Sequence, residues 1–424
     1  MAPRTEEQLY SELKTWPRPN YTFPDLVSPL IEDLVAEYND WIDIDCPFES
    51  KEAREAHKRH RLTDIAARAF PWLTIEELRP VARYTAFLAI LDDYMDHSGR
   101  HELQEVKDRV GALLHGQDSQ EPEPGFYHQM YMIRQDALAC EMPPHLYNDF
   151  ADSILALMTG FGDEKRYNAA NRPAPFPAFQ SIRRQTSGGL PSTRPAPFPA
   201  FQSIRRQTSG GLPYAKYLCM QKDYRHLPDR VLSHATMLRM HDLVATLIGY
   251  HNDFISLPKE LSRKGDVVNL VLTVQHELGL SLEEAYWKAL EIHDLHLAEF
   301  ITLQNNLPDF GEWQSTAQDY ATDLGMMVQG VYSWHIKNTG RYSPGAYVEP
   351  EHDSDKFKRR TRASGDAEPT AEDAGAESTV MSPSWNSVKR LSIAVVAALA
   401  SPLAYALKTV FVATQLGGRL SSRD

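Results

Sequence analysis

Cysteine is scarce in this chain: 3 of 424 residues, Cys46, Cys140 and Cys219, lie far apart and form no Cys-x-x-Cys pair. A disulfide framework and a structural zinc site are therefore not expected. A reducing compartment fits, so the protein is expected in the cytoplasm. Basic charge is also in deficit, with Lys+Arg 44 against Asp+Glu 57 and a net charge of −13. That excludes a nucleic-acid partner, which needs a basic face. An anionic small substrate stays open, because bound metal ions can supply local positive charge. The stretch Met1 to Lys14 is polar and mixed in charge, without the apolar core of a signal peptide. Sustained apolar–polar alternation and hairpin turn signals are missing as well, which argues against strands. Apolar residues are not missing: 42% hydrophobic against 24% charged is ample for a core.

Those apolar residues recur at helical spacing. From Pro29 to Asp43, the positions Leu30, Ile31, Leu34, Val35, Tyr38 and Ile42 mark one face. Further helices are predicted over Lys51–Ala69, Pro80–Asp96, Glu102–His115, Gly125–Glu141, His145–Arg166, Leu227–Glu260, Ser281–Asn306 and Asp309–Asn338. Pro80 suits the first turn of its helix. Residues 1–24, rich in proline and aromatics, predict an extended arm around the domain. The fold class is all-α: a single helical bundle with a central cavity, spanning residues 1–345.

Beyond that the composition shifts. Residues 346–390 read as a disordered linker, almost free of aromatics. The segment 391–413 holds an apolar run, Leu391 to Leu407, preceded by Lys389-Arg390 and interrupted by Pro402. At 17 residues it is short for a membrane span. A dispensable tail explains it more simply than a membrane anchor or surface helix.

One anomaly interrupts the order. Residues 172–191 read RPAPFPAFQSIRRQTSGGLP, and residues 194–213 repeat those 20 letters unchanged. Repeat architectures are imperfect and run to several copies, so a recent tandem duplication or a gene-level error accounts for this pair better. Only one copy can follow the native path, and the prolines of the other disfavour a regular helix.

Two polar stretches carry the candidate chemistry. The first is Leu91-Asp92-Asp93-Tyr94-Met95-Asp96, closing the apolar run Tyr84 to Ile90. Asp92 and Asp96 are four apart and share one helical face. Taken alone, the stretch is more simply a solvated acidic helix end, although oxygen-bearing pairs at the mouth of an apolar cavity suit hard divalent cations. The second is Asn252-Asp253-Phe254-Ile255-Ser256-Leu257-Pro258-Lys259-Glu260. Asn252, Ser256 and Glu260 stand at i, i+4 and i+8, so an amide, a hydroxyl and a carboxylate line one face. Mg²⁺, which prefers oxygen and keeps waters that phosphate oxygens can replace, suits that set. Lys259 lies close to the same face, placed to meet a phosphate as a point charge.

Together, Asp92-Asp93-x-x-Asp96 and Asn252-Asp253-x-x-Ser256-x-x-Lys259-Glu260 resemble the paired metal motifs of class I terpene synthases, especially fungal sesquiterpene cyclases. Arg341-Tyr342, seven residues beyond Trp334, resembles that family's C-terminal Arg-Tyr pair, which holds the diphosphate. Arg205-Arg206-x-x-Ser209-Gly210 resembles its sensor arginine and the effector turn of a broken helix. The duplication leaves two candidates for the sensor. Arg206 keeps the expected distance to Asn252 and runs directly into Tyr214 and Tyr217, so it is assigned; Arg184 in the first copy is the alternative. The resemblance covers about residues 15–345, and the inserted copy is the one clear departure from the family pattern.

The resemblance implies a sesquiterpene cyclase acting on farnesyl diphosphate, with three Mg²⁺ ions expected and Mn²⁺ as an alternative ion. Asp92 is then a direct metal ligand, Asp96 a ligand or its support, and Asp93 the partner of an arginine. Asn252, Ser256 and Glu260 supply the second half of the metal site. Arg206, Lys259, Arg341 and Tyr342 hold the diphosphate, and Ser209-Gly210 form the effector turn. Trp334 is the candidate aromatic face for passing carbocations, with simple core packing an equal explanation. Two other functions compete. A prenyl-chain-elongating synthase would carry two Asp-rich motifs, whereas the second here is Asn/Ser/Glu. A non-enzymatic helical scaffold predicts no Mg²⁺-dependent diphosphate release. A protonation-initiated cyclase needs an Asp-x-Asp-Asp run, and Asp43-Ile44-Asp45-Cys46 lacks its last acid. A monomer or homodimer is expected.

Overall fold

Short polar caps decide where most of the helices begin. The structure, a computed structural model, describes residues 5–97, 100–169, 209–262 and 268–346, without the side chains of 92–97, 100–101 and 162–169. All of them belong to one compact unit, Met1–Thr361. Among the described residues there is no strand. The linker, the apolar tail, the first repeat copy and the second copy up to residue 208 lie outside them.

Helix α1 (Glu6–Leu13) starts at a capping box, in which Thr5 accepts from the Gln8 amide and the Gln8 side chain accepts from the Thr5 amide. After it the chain runs as the expected arm, and Tyr21 docks between His251 Nδ1 at 3.0 Å and His293 Nε2 at 2.7 Å. Helix α2 is Ile31–Asp45. The stretch expected as one helix over Lys51–Ala69 is two, α3 (Lys51–Lys58) and α4 (Asp64–Ala69). The break falls at Arg61, whose φ of 49° is left-handed. Its guanidinium is held by Asp64 at 2.7 Å and Glu32 at 2.8 Å.

Helix α5 (Ile75–His97) begins five residues before the expected Pro80. A second capping box explains the shift: Thr74 Oγ1 accepts from the Glu77 amide, and Glu77 Oε2 accepts from the Thr74 amide. Pro80 therefore sits in the second turn and forgoes one intrahelical bond. Helices α6 (Arg100–Leu114), α7 (Phe126–Ala139) and α8 (Pro144–Ala169) follow near their expected places.

After the repeat come α9 (Gly211–Cys219) and the short α10 (Asp229–Leu232). Helix α11 (Ala235–Ser262) is separated from α10, where one helix over Leu227–Glu260 was expected. His234 causes the restart, its Nδ1 accepting from the Thr236 amide at 3.1 Å. Helix α12 (Leu270–Leu278) was not anticipated; Asn269 caps its start and Gly279, with φ of 62°, ends it. Helix α13 (Leu282–Asn305) opens at the Ser281/Glu284 capping box. The last expected helix is a composite of a 3₁₀ turn (Gly311–Trp313), α14 (Gln314–Ser333) and a π turn (Trp334–Asn338).

Every residue of α11 from Leu243 to His251 is buried, as expected for a helix surrounded on all sides. It packs against α9, α13, α14 and α1. None of the described helices is long and apolar enough to cross a membrane.

Candidate active site

The central helix delivers the Asn252 row to one end of the bundle. A cavity of about 160 Å³ opens there. Its walls include the apolar side chains of Leu62, Ile65, Leu88 and Phe161, and its polar lining includes Ser209, Asn252, His335, Arg341 and Tyr342. Residues expected from three separate motifs, Ser209, Asn252 and the Arg341-Tyr342 pair, thus meet at one cavity, although they span more than a hundred positions of sequence. Ser256, Lys259 and Glu260 continue along α11 past that lining.

Within the row, Ser256 Oγ lies 2.6 Å from Glu260 Oε1 and 2.9 Å from the Asn252 carbonyl oxygen. Both neighbours only accept, so the single hydroxyl proton serves one at a time. Glu260 Oε2 accepts from Asn269 Nδ2 at 2.7 Å. Asn269 also donates to the Asp253 carbonyl at 2.8 Å while its own oxygen caps α12. Asp253 Oδ2 accepts from the Leu270 amide at 2.9 Å, so Asp253 anchors α12 and faces away from the row. The donor set fits a hard cation. Oxygens adjacent on an octahedral Mg²⁺ stand about 3 Å apart, close to the 2.6 Å between Ser256 and Glu260. Asp92, Asp93 and Asp96 occupy the last turns of α5, and their side chains lie outside the description. Arg184 and Arg206 lie outside the described residues altogether.

The turn before α9 is tightly defined. Gly210 has φ of 73°, and its carbonyl accepts from Tyr84 Oη at 3.1 Å. Ser209 Oγ accepts from the Gly211 amide at 3.3 Å. Gly211 itself must be glycine for a different reason: a Cβ there would lie 2.6 Å from Ala245 Cα on α11. This close approach brings Ser209-Gly210 and the start of α9 against the central helix beside the cavity.

The C-terminal wall is clasped to the α3–α4 connection. Trp334 Nε1 donates to the Arg61 carbonyl at 2.8 Å. Asn338 bridges Asp64 at 3.0 Å and Arg68 at 2.7 Å. His60 Nε2 donates to the Ala346 carbonyl at 2.9 Å. Trp334, 2% exposed, thus has its N–H satisfied while its side chain lines the cavity. Arg341 is 7% exposed. Burial and then the Arg341 charge push His60 down to about 3 and His335 to about 4, so both imidazoles are neutral at pH 7. A buried guanidinium, with neutral histidines around it, makes this wall electropositive.

Sequence reasoning missed His335, Asn269 and the Arg61–Asp64 clasp. His335 follows Trp334 directly at the start of the π turn, and both line the cavity; wide turns of this kind recur at functional sites.

An α-helical bundle whose central helix carries an oxygen-rich row into an apolar cavity with a buried arginine defines the class I terpenoid synthase fold. The family description "Terpene synthase family 2, C-terminal metal binding" matches residues 83–299, just over half of the chain. The chain belongs to this family and is a terpene synthase, an enzyme of the lyase class. It is 24% identical over 328 residues to sesquiterpene synthase 9 of Postia placenta, covering 76% of this chain and 86% of that one. It is 28% identical over 299 residues to a (+)-T-muurolol synthase of Roseiflexus castenholzii, described as farnesyl diphosphate cyclizing, covering 68% and 82%. Among solved structures, the linalool/nerolidol synthase of Streptomyces clavuligerus superposes with a TM-score of 0.60 at 18% identity, covering 74% of this chain and 100% of that one. That likeness shows the fold.

Proposed function

We propose that this terpene synthase is a Mg²⁺-dependent sesquiterpene cyclase. It ionises farnesyl diphosphate, closes the allylic cation to a cyclic hydrocarbon or alcohol, and releases diphosphate. The observation that carries the reading is the convergence of Ser209, Asn252, Arg341 and Tyr342 on one cavity with apolar walls. The curated relatives, named as sesquiterpene synthases or as acting on farnesyl diphosphate, support the C15 substrate.

In this reading Asp92 and Asp96 face Asn252, Ser256 and Glu260 across the metal site. The ions, when bound, neutralise the diphosphate and act as Lewis acids on it. The chain's own residues do the rest. Arg341 and Tyr342, with Arg206 (or Arg184) and Lys259, donate to the diphosphate oxygens where charge develops. Asp93 pairs with an arginine, and the Ser209-Gly210 turn couples diphosphate arrival to the start of α9. Leu62, Ile65, Leu88 and Phe161 exclude water and fold the chain. Trp334 presents an aromatic face, worth roughly 0.5–2 kcal/mol to a passing cation. The catalytic domain comprises residues 1–345, working in the cytoplasm as a monomer or homodimer.

The test is diphosphate release from C10, C15 and C20 prenyl diphosphates with and without Mg²⁺. The expected result is release that prefers C15, stops on chelation, and is lost in Asp92→Asn and Glu260→Gln. Release that survives chelation, or linear condensation products instead of cyclised ones, would overturn the reading. Deleting residues 172–193 tests the repeat, with retained or increased release expected.

A further inference from the structure

Asn252 is gripped by two residues outside its own motif. Its Nδ2 lies 3.1 Å from His335 Nε2 and 2.9 Å from Tyr342 Oη. On its other edge, His335 has Nδ1 2.9 Å from the Val331 carbonyl oxygen. A carbonyl only accepts, so Nδ1 carries the ring proton. With Nδ1 committed to the Val331 carbonyl, Nε2 presents its lone pair to Asn252. An amide nitrogen donates to that lone pair, whereas an amide oxygen turned the same way would set two acceptors face to face. Tyr342 Oη accepts the second amide hydrogen. Both hydrogens of Nδ2 are committed on one side of the group, and Oδ1 is turned to the opposite side.

A side-chain amide has no intrinsic preference between its two flips, and only one of them offers an oxygen to a cation. Resting on the metal-site reading above, we propose that His335 is a positioning residue: it fixes the flip of Asn252 so that Oδ1 faces the cation and Nδ2 faces away. The order of bonds is Val331 carbonyl, His335 Nδ1–H, His335 Nε2, Asn252 Nδ2–H. The helix backbone of α14 thereby sets the orientation of a side chain on α11. Tyr342 is drawn into the same arrangement. Because its oxygen accepts from Asn252, its hydrogen is directed elsewhere, as a donor to a diphosphate oxygen requires.

The experiment is calorimetric titration of inorganic diphosphate into the full chain at saturating Mg²⁺, which reads binding without turnover. The variants are His335→Leu, His335→Gln, Asn252→Ala and the double variant His335→Leu/Asn252→Ala, with thermal unfolding recorded for each. His335→Leu is expected to weaken binding about 10- to 100-fold, the usual effect of removing a residue that orients a metal ligand. His335→Gln, whose amide oxygen accepts from Nδ2, should restore most of that loss. In the Asn252→Ala background, His335→Leu should have no further effect, because its influence passes through Asn252. Wild-type binding by His335→Leu, or an equal loss with and without Asn252, would overturn the proposal while leaving the metal site standing. Failure of the wild-type chain to bind diphosphate with Mg²⁺ would overturn the metal-site reading and the proposal with it.

Discussion

Replacing Gly211 with alanine tests how the Ser209-Gly210 turn is held against the central helix. The new Cβ would lie 2.6 Å from Ala245 Cα and 3.2 Å from both Ala245 N and Ile248 Cδ1. Carbon atoms pack best at about 3.5–4.0 Å, so α9 must retreat from α11 by about 1 Å. Backbone cannot yield as a flexible side chain does, and overpacking of this kind costs about 1–3 kcal/mol. The retreat also strains the Tyr84–Gly210 hydrogen bond and displaces buried Tyr214 and Tyr217. A misplacement of about 1 Å near a reacting centre can lower turnover about 10²-fold. Gly211→Ala is therefore expected to lower the melting temperature by about several degrees and turnover far more steeply. Gly279→Ala is the control: nothing lies within 4 Å of its Cβ, and only the left-handed φ of 62° opposes it. It should lose about 1–2 kcal/mol of stability with normal turnover. Thermal unfolding and diphosphate release on the same preparations decide the matter. Wild-type stability and turnover in Gly211→Ala, or equal turnover losses in both variants, would refute the reasoning.

Other perturbations probe the scaffold. Arg83 is 8% exposed, pairs with Asp136 at 2.7 Å and lies 4.0 Å over the Trp41 ring; burial raises the Asp136 pKa and Arg83 opposes that rise. Arg83→Leu should cost about 3 kcal/mol by leaving the largely buried Asp136 carboxylate without its partner, and an unchanged urea midpoint would contradict this. Burial pushes His241 and His60 down to about 3. Their contribution to stability is present above the ordinary histidine pKa and is lost as pH falls toward 3, so urea midpoints should drop steadily below about pH 6.5. Asp323 acts in the opposite sense, burial raising it to about 6. Its contribution is present below the ordinary carboxylate pKa and is lost as pH rises through 6. Asp323→Asn, still able to accept from Tyr224, should match the wild type near pH 4 and exceed it at pH 8; no gain at pH 8 would contradict the assignment.

The all-α fold was readable because apolar spacing survives in long helices such as α8 and α13. Boundaries were readable where a local cap sets them, as at Ser281. The start of α5 lies ahead of Pro80 because the Thr74/Glu77 capping box, a local sequence signal, sets it. The α3–α4 break was not readable. Arg61 is no helix breaker, and its left-handed backbone is stabilised by Glu32 and Asp64 through tertiary contacts. Helix α12 had both its signals, Asn269 before it and Gly279 after it, but it is short enough to pass for a loop. At the cavity, residues fixed by motif spacing were legible: Asn252, Ser209, Arg341, Tyr342 and Trp334 all reach it. Residues that act by holding others were not. His335 and Asn269 touch their targets across 83 and 9 positions, tertiary contacts that no periodicity encodes.

The central claim is that this cavity ionises a C15 diphosphate and closes the resulting cation. Purified chain incubated with farnesyl diphosphate and Mg²⁺, with the volatile products resolved by mass spectrometry, tests it most directly. The account predicts cyclic C15 hydrocarbons or alcohols released with one equivalent of diphosphate. Longer linear prenyl diphosphates, or unchanged substrate under conditions where the chain is folded, would contradict it.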